Sequence, residues 1–76
     1  MVKTDITGEK STFMAYSDCH DLMVMVYDGD IYEAMNITED VMLHYENGDY
    51  PGRMCGEVLE TELEDKGIDV AVYERV

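Results

Sequence analysis

The chain has 76 residues, and its eighteen Asp and Glu against five Lys and Arg give a formal net charge of −13. A domain of this size buries only about 60% of its unfolded surface, which leaves no core for a deep active site. The negative charge disfavours direct binding to nucleic acid and to anionic lipid. Apolar residues make up 46% of the chain, more than a disordered acidic tail carries, so we expect one compact acidic domain over residues 1–76.

The N-terminal part of the chain predicts strands. Residues 2–7 are expected to form either a weak strand or part of a loosely held arm over residues 1–10. Residues 11–17 (STFMAYS) and 21–27 (DLMVMVY) are short apolar-rich runs bounded by polar residues, which is typical of strands. In the first of these runs, alternation with a period of two places Phe13 and Ala15 on the same face.

An Asp-Gly pair then predicts a hairpin. Asp28 and Gly29 stand between two apolar-rich runs, and Gly accepts the positive φ that a type I′ turn requires. This turn would pair Val26 with Ile31 on the core-facing side of the hairpin. The other side is expected to be an amphipathic surface edged by acids, which helices or a partner would cover. Its members include Met23, Met25 and Tyr32.

The segment NITEDVMLHYENG, residues 36–48, predicts a short helix. Thr38 suits the N-cap, and Gly48 suits a left-handed stop. A competing prediction makes residues 41–46 a strand followed by an Asn-Gly turn. Pro51 would then interrupt the returning strand, so a helix over residues 38–47 is preferred.

The C-terminal part predicts a second helix over residues 53–67, ended by Gly67, and then an alternating strand over residues 68–76. The apolar face of this helix consists of Cys55, Val58, Leu59 and Leu63. The strand is expected to turn inward Ile68, Val70 and Val72. The whole order predicts an α+β fold: a small antiparallel sheet of three to four strands, with the Asp28-Gly29 hairpin at its centre and one or two helices packed on one face.

Acids around the Asp-Gly pair invite comparison with a calcium loop. Asp28, Asp30 and Glu39 occupy the first, third and twelfth positions of an EF-hand count. Tyr32 stands where the fifth-position oxygen is needed, however, and Glu33 stands where Gly must turn the loop. We therefore expect no metal site here, and no cofactor.

Catalytic patterns are equally weak. Cys19, His20 and Asp21 are consecutive, but neighbouring strand residues point to opposite faces, and the chain has no GxSxG and no Gly-rich phosphate loop. The Cys residues lack CxxC spacing, which favours free thiols in a reducing compartment over a disulfide. No apolar run approaches the roughly 20 residues of a bilayer span, and no secretory signal pattern is present. We expect a cytoplasmic, non-enzymatic protein without membrane contact.

The acids are distributed unevenly. Between residues 11 and 52 there is no Lys or Arg, and the acids of that stretch are Asp18, Asp21, Asp28, Asp30, Glu33, Glu39, Asp40, Glu46 and Asp49. A solvated surface or adaptation to high salt explains such a bias without a partner. The sharper hypothesis is docking on a positive protein surface. On the second helix, Glu57, Glu60 and Glu64 are three or four residues apart, about 5 to 6 Å, which is near the spacing of phosphates.

The chain resembles, as a class, the small acidic inhibitors encoded by phages and mobile elements. The features that it shares with them are its compact size, the stretch over residues 11–52 that has acids but no Lys or Arg, and the acidic face of the last helix. That class includes anti-CRISPR and anti-restriction proteins that act as DNA mimics. The resemblance implies stoichiometric inhibition of a Cas or other DNA-binding complex in the host cytoplasm, without a cofactor. The partner-binding residues that we predict are Asp28, Asp30, Tyr32, Glu33, Glu57, Glu60 and Glu64.

An alternative from another class is an acidic structural or adaptor domain with no nucleic-acid-related target. It would act as a homodimer joined through the Met and Tyr side of the predicted hairpin. Flexible, polarizable Met side chains suit an adaptable contact surface, although they fill a core equally well.

Overall fold

In the computed structural model, the described residues are 2–8, 11–18 and 20–75. The elements in chain order are β1 (Lys3–Ile6), β2 (Thr12–Tyr16), β3 (Asp21–Asp28), α1 (Ile31–Glu46), α2 (Cys55–Asp65) and β4 (Asp69–Arg75). The predicted α+β fold, with an antiparallel sheet and helices packed against it, is confirmed.

The four strands form one antiparallel sheet in the order β1-β2-β3-β4. Strands that follow each other in sequence are neighbours in the sheet, and both helices are inserted between β3 and β4. Phe13 lies opposite Val24, and Val24 lies opposite Val72. This order leaves β1 and β4 as the two edge strands.

One face of the sheet and the two helices enclose the core. The predicted inward residues Phe13 and Ala15 of β2 are fully buried, and so is Leu22 of β3. On α2, the predicted apolar face is confirmed, since each of its residues is at most 1% exposed: Cys55, Val58, Leu59 and Leu63. On β4, Val70 is buried and Val72 packs against the core. Packing of this alternating face is the main source of stability in a domain of this size.

The opposite face of the sheet bears the other residues of each strand. Because the buried apolar residues of the strands all belong to one alternation, both helices cover the same face. Met14, Met23 and Tyr73 lie side by side on the uncovered face, in the register of β2, β3 and β4. No described helix packs there.

The predicted hairpin at Asp28-Gly29 is wrong. After β3 the chain enters α1 at Ile31 rather than returning as a strand, and Val26 is paired with Val70 instead of Ile31. The strand that completes the pairing of β3 therefore comes from the far end of the chain.

Local chemistry explains why the residues Asp28-Gly29-Asp30 lead into a helix instead of a hairpin. Gly29 has a positive φ of 126°, as a turn requires, and a Cβ there would lie 3.0 Å from the side chain of Ile68. Asp30 has an extended backbone, and its carboxylate accepts a hydrogen bond from the backbone N–H of Tyr32 at 2.9 Å. Asp30 is thus an N-cap, a role that Asp favours as strongly as a turn.

The first helix is longer than predicted. Residues 38–47 were expected to be helical, but α1 begins a full two turns earlier, at Ile31. Thr38 is not the N-cap: it is fully buried inside the helix, and its hydroxyl donates to the carbonyl of Ala34 at 2.7 Å. Gly48 has the predicted positive φ, 87°, just after the helix, and Gly67 has 78° after α2. The competing strand over residues 41–46 is wrong.

Candidate functional site

A groove of about 390 Å³ lies between the N-terminal turns of α2 and the edge strand β4. Its apolar lining residues are Met54, Val72 and Tyr73, and its carboxylates are Glu57, Glu60 and Glu74. Met54 and Tyr73 are 58% and 52% exposed, so this apolar surface is accessible to a partner. The groove therefore combines an edge strand, exposed apolar area and negative charge.

Glu74 joins the two walls of this groove. Its Oε1 accepts a hydrogen bond from the backbone N–H of Gly56 at 2.7 Å, and its Oε2 lies 3.5 Å from Nδ1 of His20. Met54, the N-cap residue of α2, makes no capping bond with its side chain. The Glu74 carboxylate therefore satisfies a backbone donor at the helix N-terminus and complements the helix dipole there.

The other two carboxylates of the groove are more available. Glu57 has an exposed ion pair with Arg53 at 3.4 Å, a kind of pair that contributes little because water screens it. Within the described part of the chain, Glu60 has no hydrogen-bond or ion-pair partner, and no described Lys or Arg side chain lines the groove. The groove thus keeps uncompensated negative charge.

Cys55 lies behind the groove, fully buried at the start of α2, as a free thiol. Burial raises the pKa of Cys55 from 9.0 to about 11, and the charges of Glu74 and Glu46 add to that shift. A nucleophilic Cys needs the opposite shift, toward the thiolate. Cys19 of the consecutive Cys-His-Asp lies outside the described residues. His20 packs edge-on against Tyr45, with ring centroids 5.2 Å apart.

The predicted partner-binding residues fall into two groups. Asp28, Asp30, Tyr32 and Glu33 lie where β3 passes into α1, and Tyr32 there is 65% exposed. Asp69, which was not among the predicted site residues, is the register partner of Asp28, so it adds a further acid at this end of the sheet.

The second group lies on α2. Glu57 and Glu60 line the groove, and Glu64 follows one turn later in the direction of Asp69. Met54, Val72 and Glu74 were not predicted to be parts of a site. The missed signal is topological, because only the sheet order makes β4 an edge strand.

A further surface lies on the face of the sheet that no described helix covers. A depression of about 310 Å³ there is lined by Thr7, Thr12, Met23 and Met25. Met23 and Met25 share this face as predicted, but Tyr32 belongs to α1 and lies elsewhere. Among the residues described, no group of three or more His, Cys, Asp or Glu side chains is arranged to hold a metal ion.

Comparison with known protein families, curated proteins and solved structures finds no match to this chain. Neither of the two described helices has the length and apolar composition that crossing a bilayer requires. The two acidic groups and the groove are therefore the features of the molecule that bear on its function.

Proposed function

We propose that this chain is a non-enzymatic inhibitor that binds a basic, nucleic-acid-binding surface of a host defence complex, as anti-CRISPR proteins do. The observation that carries the proposal is the exposure of carboxylates that have no basic partner. Among the described residues, those without an ion pair or a side-chain hydrogen bond include Asp28, Glu33, Glu60 and Glu64.

Self-repulsion supports a positive partner. A net charge of −13 on 76 residues destabilises the compact state, because five Lys and Arg cannot neutralise eighteen acids. A cationic groove that docks on this surface would relieve the repulsion. Association of this kind is fast at low salt and weakens as counterions screen it.

DNA mimicry is the mechanism we favour for α2. Glu57, Glu60 and Glu64 succeed each other at spacings of three and four residues, so the Cβ atoms of neighbouring Glu residues are about 5 to 6 Å apart on one face of the helix. The first and last are two turns, or about 10 Å, apart. A Lys- and Arg-lined channel that follows a phosphate backbone would meet charges at a similar spacing.

The test is competition. The protein should displace DNA from a nuclease or surveillance complex, and the displacement should weaken steeply between 50 and 200 mM salt, roughly as specific phosphate contacts do. Glu60→Gln with Glu64→Gln should weaken it. The matched control, Asp5→Asn with Glu39→Gln, changes the net charge equally but away from α2. Equal loss in both variants would reduce the effect to bulk charge, and no competition at any salt would overturn the proposal.

A second candidate, the homodimeric adaptor, is favoured by one observation: the sheet face without a described helix carries Met14, Met23 and Met25 in adjoining strands. A second copy would bury that Met surface. Size-exclusion chromatography would then show a dimer that is indifferent to salt. Met25→Glu would dissociate that dimer, while Glu60→Gln would not.

A further inference from the structure

The two edges of the sheet are unequally protected. β1 has four residues, with charged Lys3 and Asp5 on alternate positions. β4 has seven residues, and the four between Asp69 and Glu74 are uncharged, with no Pro to interrupt them. Proteins normally blunt edge strands with short length, Lys or Pro, because an open edge pairs with any extended chain. The middle of β4 has neither Lys nor Pro, so its edge is open to pairing.

The open edge is next to the groove. An edge strand in an antiparallel pair directs alternate backbone N–H and C=O groups away from its neighbour, so β4 has hydrogen-bonding groups to offer on the side away from β3. An added strand would lie about 4.8 Å from β4. Every second side chain of that strand would face the groove, over Met54 and Val72 and beside Glu57 and Glu60.

The charge around β4 indicates which kind of strand would pair with it. Pairing with the β4 strand of a second copy would bring two sets of Glu57, Glu60 and Glu74 together on molecules that each carry −13. Like charges in an interface are costly. A segment with Lys or Arg would instead place its cations beside carboxylates, of which Glu60 has no partner in the described part of the structure.

We propose that β4 accepts an extended basic segment of the partner protein as a fifth strand, with its apolar side chains over Met54 and Val72 and its Lys or Arg side chains against Glu57 and Glu60. Backbone hydrogen bonds would supply the pairing, and the groove would select side chains. This inference rests on the proposed function, since it specifies how a basic partner is bound.

The experiment uses synthetic peptides of about ten residues, long enough to span a strand. In this Lys–Val peptide every second residue, the set that faces the groove, alternates between Val and Lys, and the residues between them are Thr. Amide signals of the isotope-labelled protein should shift along Ala71–Glu74 on titration with peptide. Two analogues are N-methylated at alternate residues, one on each edge of the peptide. Methylation of the pairing edge should weaken binding about tenfold or more, because each lost backbone bond contributes to affinity, while methylation of the outer edge should not.

The protein variants use the same logic. The variant Glu57→Gln with Glu60→Gln should bind the Lys–Val peptide more weakly than the natural chain does. The control variant Asp5→Asn with Glu39→Gln has the same net charge and should bind the peptide as well as the natural chain. Both variants exchange exposed or half-exposed side chains, and their folding is checked by the dispersion of the amide spectrum.

Each outcome decides something. If both methylated analogues bind as well as the parent, strand addition is overturned and only charge attraction remains. If no peptide binds while the protein still displaces DNA from a host complex, strand addition fails and the proposed function stands. If the peptide binds as described but no DNA-binding complex is inhibited, the inhibitor proposal fails alone. Self-association through β4 at high concentration would also overturn the choice of a basic partner.

Discussion

The carboxylate of Glu74 accepts a hydrogen bond from the backbone N–H of Gly56 at 2.7 Å, across eighteen residues of sequence. It connects the last strand to the start of α2, where the N-cap residue Met54 makes no side-chain bond of its own. The bond therefore couples the helix to the edge strand that forms the other wall of the groove.

Removing this cap should destabilise the fold. Glu74→Ala leaves a helix N-terminal donor unsatisfied, and we expect the free energy of unfolding to fall by about 1–2 kcal/mol in urea titrations. Glu74→Gln keeps an acceptor and should lose less. Glu64→Ala, an exposed change on the same helix, is the control and should stay within about 0.5 kcal/mol. Equal effects at positions 64 and 74 would contradict the capping role.

Gly56 should depend on the same carboxylate. A Cβ at this position would lie 3.0 Å from Oε1 of Glu74, so Ala would push the cap away. Gly56→Ala should therefore destabilise the natural chain, although Ala favours helices by up to about 1 kcal/mol over Gly. In the Glu74→Ala background the same change should become neutral or stabilising. A double-mutant cycle measured by urea unfolding checks this, and identical effects in both backgrounds would rule it out.

Two substitutions at Asp30 distinguish its effect on stability from its effect on partner binding. Its side chain caps α1, so Asp30→Ala should cost about 1 kcal/mol of unfolding free energy, while Asp30→Asn preserves the cap and removes the charge. If Asp30 also contacts a basic partner, Asn should weaken partner binding as much as Ala does. Binding that follows stability instead, intact in Asn and reduced in Ala, would remove Asp30 from the contact surface.

Alternation and helical spacing were enough to predict the strands β2, β3 and β4, the core face of α2 and its Gly67 stop. They failed at residues 28–30, because Asp-Gly-Asp satisfies both a hairpin turn and a helix start. The choice between them depends on packing that the local sequence does not contain: Gly29 lies against Ile68, and Val26 pairs with Val70.

The groove could not be predicted for a related reason. Glu57 and Glu60 were identified from their helical spacing, but the importance of Val72 and Glu74 depends on β4 being an edge strand. That position follows from the pairing of β3 with a strand more than forty residues later in the chain. Sequence patterns report which face a residue takes, and they do not report which strand ends a sheet.

Cys55 should be unreactive in the folded protein. With its pKa raised from 9.0 to about 11, the thiolate fraction near pH 8 falls about a hundredfold, and the side chain is also fully buried. In a Cys19→Ser variant, Ellman's reagent should therefore label Cys55 very slowly at pH 8 and at once in concentrated urea. Rapid labelling without denaturant, in protein whose amide spectrum shows it folded, would contradict the buried position.

The imidazole of His44 faces two carboxylates, which favour its protonated form. Its Nδ1 is 2.8 Å from Oδ2 of Asp49, and its Nε2 is 3.6 Å from Oδ1 of Asp40. The hydrogen bond to Asp49, followed by the charge of Asp40, raises the pKa of His44 above 6.5. A raised folded-state pKa contributes stability that is complete below the unfolded value of 6.5 and is lost as the pH rises through the folded value.

The stability difference between the natural chain and His44→Gln should thus be largest near pH 5.5 and should shrink toward pH 8.5, by thermal unfolding at each pH. NMR titration of the imidazole should give a pKa above 6.5 in the natural chain. Asp49→Asn should lower that pKa, because it removes the carboxylate that accepts the bond, and Glu39→Gln, a charge change elsewhere on α1, should lower it less. If the stability difference between the two proteins instead grows with pH, the linkage has the opposite sign, and Asp49 and Asp40 do not stabilise the protonated imidazole.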